Sequence, residues 1–337
     1  MVDALSRLKG AAKPLFPGVF VAAITGLAAL FLSDHYAAPA MLFALLLGIA
    51  MAFLYQEPDS ACRAGIEFTA GFVLRLGVGL LGLRVALTDL WALGWKTGLL
   101  LVVAIGATIL FGILVARALG LKNYFGVLTG GAVAICGASA AMAISAALPG
   151  HERKERDTML TIIGVTALST FAMIIYPIIA RLLGLDEAQT SLFLGGTIHD
   201  VAQVVGAGYS VSEQTGDLAT LVKLVRVSFL LPVVLLILLS LRFSRKALGP
   251  DSRAPGVPWF LTLFLVLMLV NSLVNIPESL GLAVAHVSRF ALIVAIAAIG
   301  MKSNLPQLTR VGIRPITLMA LETAFIAGLI LAAIFWL

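Results

Sequence analysis

His199 and Asp200 are adjacent inside an apolar run, "GGTIHDVAQVVGAG" at 195–208, and Gln203 follows within a helical turn. An imidazole beside a carboxylate can carry a proton, hold a cation or act as a general base. A second run, "GGAVAICGASAAMA" at 130–143, places Cys136 and Ser139 after a glycine pair in the same way. Segment 216–241 contains "LVKLVRV", in which Lys223 and Arg226 are three residues apart and share a helix face. A guanidinium can grip an oxyanion through two parallel N–H bonds. Ser, Cys, His and Asp are also catalytic residue types, but no nucleophile motif, CxxC, HExxH or P-loop accompanies them. The two cysteines, Cys62 and Cys136, make no disulfide framework. The expectation is therefore no enzyme, no cofactor and no metal.

These residues must be held by elements that suit an oily solvent. The chain has 337 residues, 61% hydrophobic and 12% charged, against about 45–50% apolar and about 25% charged in a soluble domain. That composition predicts an all-α polytopic membrane protein. The net charge of +6 does not imply nucleic acid, because the basic residues sit in short gaps between apolar runs. A span needs about 20 apolar residues, and about 11 segments qualify. They are 17–33, 38–55, 64–87, 94–118, 122–148, 159–184, 188–208, 216–241, 257–276, 281–302 and 312–336. Residues 1–337 read as one transmembrane transporter domain. Residues 1–16, with Arg7, Lys9 and Lys13, read as a cytoplasmic N-terminal segment.

Segments 122–148 and 188–208 are the exceptions. Neither reads as one continuous helix facing lipid. Each is expected to be discontinuous, crossing as a broken helix or re-entering as a hairpin, and the Lys/Arg distribution favours hairpins. Irregular backbone at membrane depth is tolerated where it lines a cavity. The N-terminal end of a half-helix presents free N–H groups and about half a positive charge, so two such ends form an anion site. The expected substrate-binding residues are Gly130, Gly131, Cys136, Gly137, Ser139, Gly195, Gly196, Gln203, Lys223 and Arg226. His199 and Asp200 are the expected coupling residues. The plainer readings are helix packing for the glycines, a structural pair for His199–Asp200 and snorkelling to the interface for Lys223. Pro232 should kink its helix. Arg75 is expected to compensate Asp200 or line the path, and Arg84 and Lys302 to anchor helix ends. Glu67, His286, Arg289 and Glu322 lie on membrane segments without an assigned place.

An internal repeat aligns 82–98 with 300–316. Gly82 meets Gly300, Arg84 meets Lys302, Leu87 meets Leu305, Leu90 meets Leu308, Gly94 meets Gly312, and Lys96 meets Arg314. An odd number of crossings separates the two copies, the pattern of inverted repeats in secondary transporters.

"LTGGAVAICGASAAMA", "GGTIHDVAQVVGAG" and "LVKLVRV", with "GLLGLR" upstream, resemble the signature stretches of the sulfate exporter family of bacterial inner-membrane proteins. That family is grouped with the cation:proton antiporter and anion transporter superfamily. The resemblance covers essentially the whole chain. It implies an inverted-repeat secondary carrier whose discontinuous helices meet at mid-membrane, located in the bacterial inner membrane. It implies export of sulfate, sulfite or an organosulfonate. The expected partners are a small anion, H+ or Na+ as coupling ion and the lipid bilayer; a homodimer stays open. Three alternatives also stay open: a cation carrier centred on Asp200, an intramembrane enzyme and an anion channel.

Overall fold

The computed structural model describes residues 14–36, 40–57, 59–85, 87–149, 153–243, 259–274, 277–303 and 312–336. Most of the expected N-terminal segment, the whole stretch 244–256 and the repeat positions Leu305 and Leu308 lie outside the described residues. The described chain is helical: α1 (Phe16–Tyr36), α2 (Ala40–Ala50), α3 (Arg63–Leu83), α4 (Leu87–Ala118), α5 (Asn123–Ala134), α6 (Ala138–Ala147) and α7 (Lys154–Leu182) come first. There follow α8 (Glu187–Thr197), α9 (Val201–Tyr209), α10 (Glu213–Ser228), α11 (Leu230–Phe243), α12 (Trp259–Leu273), α13 (Glu278–Lys302) and α14 (Ile313–Trp336).

Seven helical stretches among the described residues are long and apolar enough to cross a membrane: α1, α3, most of α4, α7, α10 with α11, most of α13, and α14. The expected segments 38–55 and 257–276 hold the shorter apolar helices α2 and α12. Segments 122–148 and 188–208 are each divided into two half-helices.

The chain forms two compact units. The first holds α1–α3, α12, α13 and the short stretch Tyr209–Glu213. Its helices cross where glycines remove side chains. A Cβ on Gly48 would stand 2.2 Å from the Ala297 carbonyl oxygen, and one on Gly300 2.5 Å from that of Leu45. In α3 the turn Thr69–Val73 is π-helical, and Thr69 donates to the Gly65 carbonyl (2.8 Å). At the edge of this unit the Glu213 carboxylate takes Arg289 (2.8 Å) and Arg84 (3.2 Å), so both arginines belong to a surface ion-pair group. Glu67 pairs with Arg63 and accepts from the Tyr55 hydroxyl, and Lys302 lies over the Tyr55 ring. His286 and Arg75 are exposed.

The second unit holds the remaining helices, and both divided segments lie within it. Each folds back on itself. A Cβ on Gly131 would stand 2.2 Å from Ile144 Cδ1, although a straight helix would separate residues thirteen apart by roughly 20 Å. Helix α6 therefore returns along α5. In the second segment Ser191 approaches the Thr215 carbonyl, Gly195 packs on Ala219 and Val222, and Ile198 meets Lys223. This order makes α8 parallel to α10, so α9, which joins the end of α8 to the start of α10, runs back antiparallel to both. The starts of α5 and α7 line one cavity, whereas α8 begins beyond the far end of α7. The two folded segments thus begin at opposite ends of α7.

Local sequence explains the turns. Gly137 adopts φ 62°, a conformation open to glycine, between α5 and α6. Asp186 and Gln189 form a reciprocal capping box that starts α8. The α10–α11 interruption at Phe229 precedes Pro232, which has no N–H for the Ser228 carbonyl. The repeat-related Gly94 and Gly312 share positive φ, 70° and 89°.

Gly195 fixes the α8–α10 approach, because a Cβ there would stand 2.4 Å from the Ala219 carbonyl oxygen. Gly195→Leu should destabilise the purified protein by about 1–3 kcal/mol through overpacking. Gly106→Ala, where a Cβ meets nothing within 4 Å, should leave it unchanged or slightly more stable. Thermal unfolding in detergent distinguishes them, and equal melting of both variants contradicts the packing.

Candidate functional site

The tips of the two folded segments converge on α10. The last carbonyls of α5 and α8 have no intrahelical donor and carry the negative end of the helix dipole. Arg226 donates from Nε to the Ala134 carbonyl, from Nη2 to Val133 (2.5 Å) and from Nη1 to Ile198 (3.2 Å). Lys223 Nζ donates to the Ile135 and Ile198 carbonyls, both at 2.7 Å. Both cations are fully buried. The i, i+3 spacing read from the sequence does put them on one face. That face meets backbone carbonyls, so most of their donors hold the two tips together and are not spread as a free cationic wall. Arg226 keeps two N–H groups and Lys223 one beyond these bonds. Neither cation snorkels.

The other two half-helix ends also lie at the tips. Helix α6 starts just after Gly137, which sits beside His199, 3.6 Å from its Cβ to an added Cβ. Asp200 Oδ1 accepts from the Ala202 N–H (3.1 Å) and so caps α9, while the Asp200 N–H is held by Ser169 of α7 (3.2 Å). Asp200 is partly exposed; His199 and Gln203 are buried. Ser139 is exposed, and Cys136 is buried in the linker between α5 and α6.

His199 Nε2 lies 2.9 Å from the Thr323 hydroxyl of α14, whose own proton goes to the Met319 carbonyl. A hydroxyl has one proton, so a Thr323 that bonds the Met319 carbonyl accepts from Nε2–H, while the Val133 and Thr197 backbone beside the ring offers acceptors to a proton on either ring nitrogen. His199 Nδ1 and Gln203 Oε1 are buried without a hydrogen-bond partner. Two buried polar atoms without a partner one helical turn apart, beside a carboxylate, are unusual in a native interior.

The expected site residues separate into groups. Lys223, Arg226, His199, Asp200, Gly137 and Cys136 gather at or beside the tips, and Gln203 lies one turn into α9. The glycine pairs serve packing. Gly130 packs on α4 at Ile109, Gly131 admits Ile144, Gly195 lies under α10, and Gly196 meets Ile330 of α14. At each of them a neighbouring helix or half-helix stands where a side chain would be. Arg75 belongs to the first unit. Sequence reasoning missed Thr323 and Ser169, whose hydroxyls within apolar helices carry no signal of a long-range partner.

The capping role sets an expectation for stability. Arg226→Ala leaves the Val133 and Ala134 carbonyls of α5 without this donor, at about 1–3 kcal/mol for each unsatisfied group, while Ile198 keeps Lys223. Its melting temperature in detergent should fall by much more than that of Arg226→Lys, which retains one cationic donor. Unchanged melting of Arg226→Ala would show that the carbonyls do not depend on it.

The comparisons with known proteins place the chain as a whole. Residues 17–319 match the family described as conserved hypothetical protein 698. The UPF0324 membrane protein CT0845 of Chlorobaculum tepidum is 49% identical over 322 residues, covering 96% of this chain and 90% of the relative. RB0971 of Rhizobium meliloti is 53% identical over 322 residues, covering 95% and 93%. The UPF0324 membrane protein TauZ of Paracoccus pantotrophus is 48% identical over 335 residues, covering 99% of each. No solved structure matches the chain. With its apolar helices, its folded-back segments and relatives that match over nearly their whole length, the chain is a multi-pass membrane protein of the conserved hypothetical protein 698 family, akin to the UPF0324 membrane proteins.

Proposed function

We propose that the protein is a secondary carrier of a small anion, of the sulfate, sulfite or organosulfonate class, in the bacterial inner membrane, and not an enzyme. The observation that supports this most is the meeting of four half-helix ends around Lys223 and Arg226. The two carbonyl ends contribute about half a negative charge each, and the starts of α6 and α9 about half a positive charge each. With two cations and the Asp200 carboxylate added, the cluster retains about one positive charge. A monoanion such as an organosulfonate balances it better than sulfate. Backbone N–H groups at the starts of α6 and α9, with Ser139 and the Gln203 amide, would receive the oxyanion. His199 and Asp200 would serve the coupling ion, H+ or Na+. On this reading the two folded segments re-enter from opposite faces and belong to inverted repeats. The end bearing Lys122, Arg153, Arg156 and Arg314 faces the cytoplasm, as does the N-terminus.

A second reading has its own support. The Gln203 Oε1 and the Asp200 carboxylate are acceptors within one turn, beside an imidazole that can lose its proton, which also suits a cation as the main cargo. A proteoliposome flux screen of sulfate, sulfite and small organosulfonates under imposed pH and sodium gradients separates the two. The expected result is saturable oxyanion flux that falls at least about tenfold in Gln203→Leu, the scale of one lost charge-assisted contact. Asp200→Asn should remove the dependence on the imposed gradient. Sodium or proton flux without any oxyanion would favour the cation carrier, and flux that never saturates would indicate a channel.

A further inference from the structure

Glu322 is fully buried in the middle of α14, a helix long and apolar enough to span the membrane. Among the described residues no Lys, Arg or His forms an ion pair with it. Its carboxyl fits a niche made by two glycines: a Cβ on Gly112 of α4 would stand 2.3 Å from Oε1, and one on Gly130 of α5 3.5 Å away. Oε1 lies 2.8 Å from the Thr129 hydroxyl, and that hydroxyl lies 3.0 Å from the Phe125 carbonyl. Glu322 Oε2 is buried with no hydrogen-bond partner.

Proton arithmetic decides the state of this group. The Thr129 hydroxyl has one proton for two neighbours. If Glu322 is ionised, Thr129 serves either the carboxylate or the Phe125 carbonyl, and a buried anion is left with one neutral partner at most. If Glu322 holds a proton, it donates to Thr129, which donates to Phe125, and the chain closes. An unpaired carboxylate in a low-dielectric interior is far costlier than a neutral acid.

We infer that Glu322 is an intramembrane proton-binding site, separate from His199–Asp200, whose occupancy is sensed by the first folded segment through Thr129. A route to water begins one turn away. Phe125 lines an open cavity of about 890 Å³ with Lys122, Tyr124, Arg153, Arg156, Asp157 and Arg314. A proton leaving Glu322 passes by way of Thr129 toward this cavity and leaves a carboxylate behind. The neighbouring residue on α14, Thr323, holds His199 of the second folded segment. One helix therefore touches both segments through adjacent side chains.

The titratable groups on the elements packed around Glu322 are few. Helix α5 offers Tyr124, α4 Arg117, and α14 Arg314. Helix α7 offers Lys154 to Asp157 in its first turn, then Tyr176 and Arg181 toward its far end, α4 adds Lys96 near its start, and α8 carries Glu187 at its start and leads into His199. None of them bonds the Glu322 carboxyl.

The proton site stands on this geometry, and only its consequence for flux rests on the carrier reading. Infrared difference spectroscopy of the lipid-reconstituted protein tests it without any substrate. The wild type at neutral pH should show the carbonyl stretch of a protonated carboxylic acid, absent in Glu322→Gln. Thr129→Val keeps the acid but removes its acceptor, so the band should shift to higher frequency. No such band in the wild type, a band that persists in Glu322→Gln, or a band that Thr129→Val leaves in place would overturn the assignment. In proteoliposomes, the ratio of substrate flux with and without a proton gradient should fall to about one in Glu322→Gln. An unchanged ratio would remove Glu322 from coupling. If the wild type moves no anion, the carrier reading fails, and the infrared band still decides the proton site.

Discussion

Two helix ends buried tip to tip, both presenting carbonyl oxygens, would repel each other and leave acceptors unpaired. The second unit depends on resolving that conflict. Lys223 and Arg226 resolve it by donating into both ends at once, and Ile198 receives a bond from each cation. Among the described residues the cations are in turn held without a carboxylate salt bridge, their charge offset by the dipoles of α5 and α8. Each partner makes the other tolerable in a low-dielectric interior. The turns at Ile135–Gly137 and Ile198–Asp200 can then stay irregular, because their polar groups are anchored from α10.

The anchoring leaves a division of labour among four half-helix ends. The carbonyl ends are spent on structure. The amide ends of α6 and α9, with Asp200 capping one of them, remain beside His199. Helix α14 lies behind both segments and binds them through adjacent residues, Glu322 to Thr129 and Thr323 to His199. Gly112, Gly126 and Gly130 let α4 and α5 approach closely enough to enclose that carboxyl.

Much of this was legible in the sequence, and the failures have physical causes. The interruptions in 122–148 and 188–208 were readable because glycine pairs and polar residues break an apolar helix pattern. The shared face of Lys223 and Arg226 followed from their spacing. What those cations face was not readable, since a helix carbonyl end attracts a guanidinium much as an anionic ligand does. The glycines of 130–131 and 195–196 looked like ligand positions, yet glycine removes bulk for a neighbouring helix as readily as for a substrate. Glu322 could not be placed because its partner, Thr129, is 193 residues away and is an unremarkable threonine in an apolar run.

The double capping also fixes a length. Lys223 and Arg226 reach both tips only from one face of α10, and that helix is locked to α8 at Ser191–Thr215 and Gly195–Ala219. Inserting or deleting a single residue between Thr215 and Lys223 would turn the cations by about 100° around the helix axis. The stretch should therefore be closed to insertions and deletions even where single substitutions are harmless. In this part of the molecule the number of residues is as much a structural element as the side chains they carry.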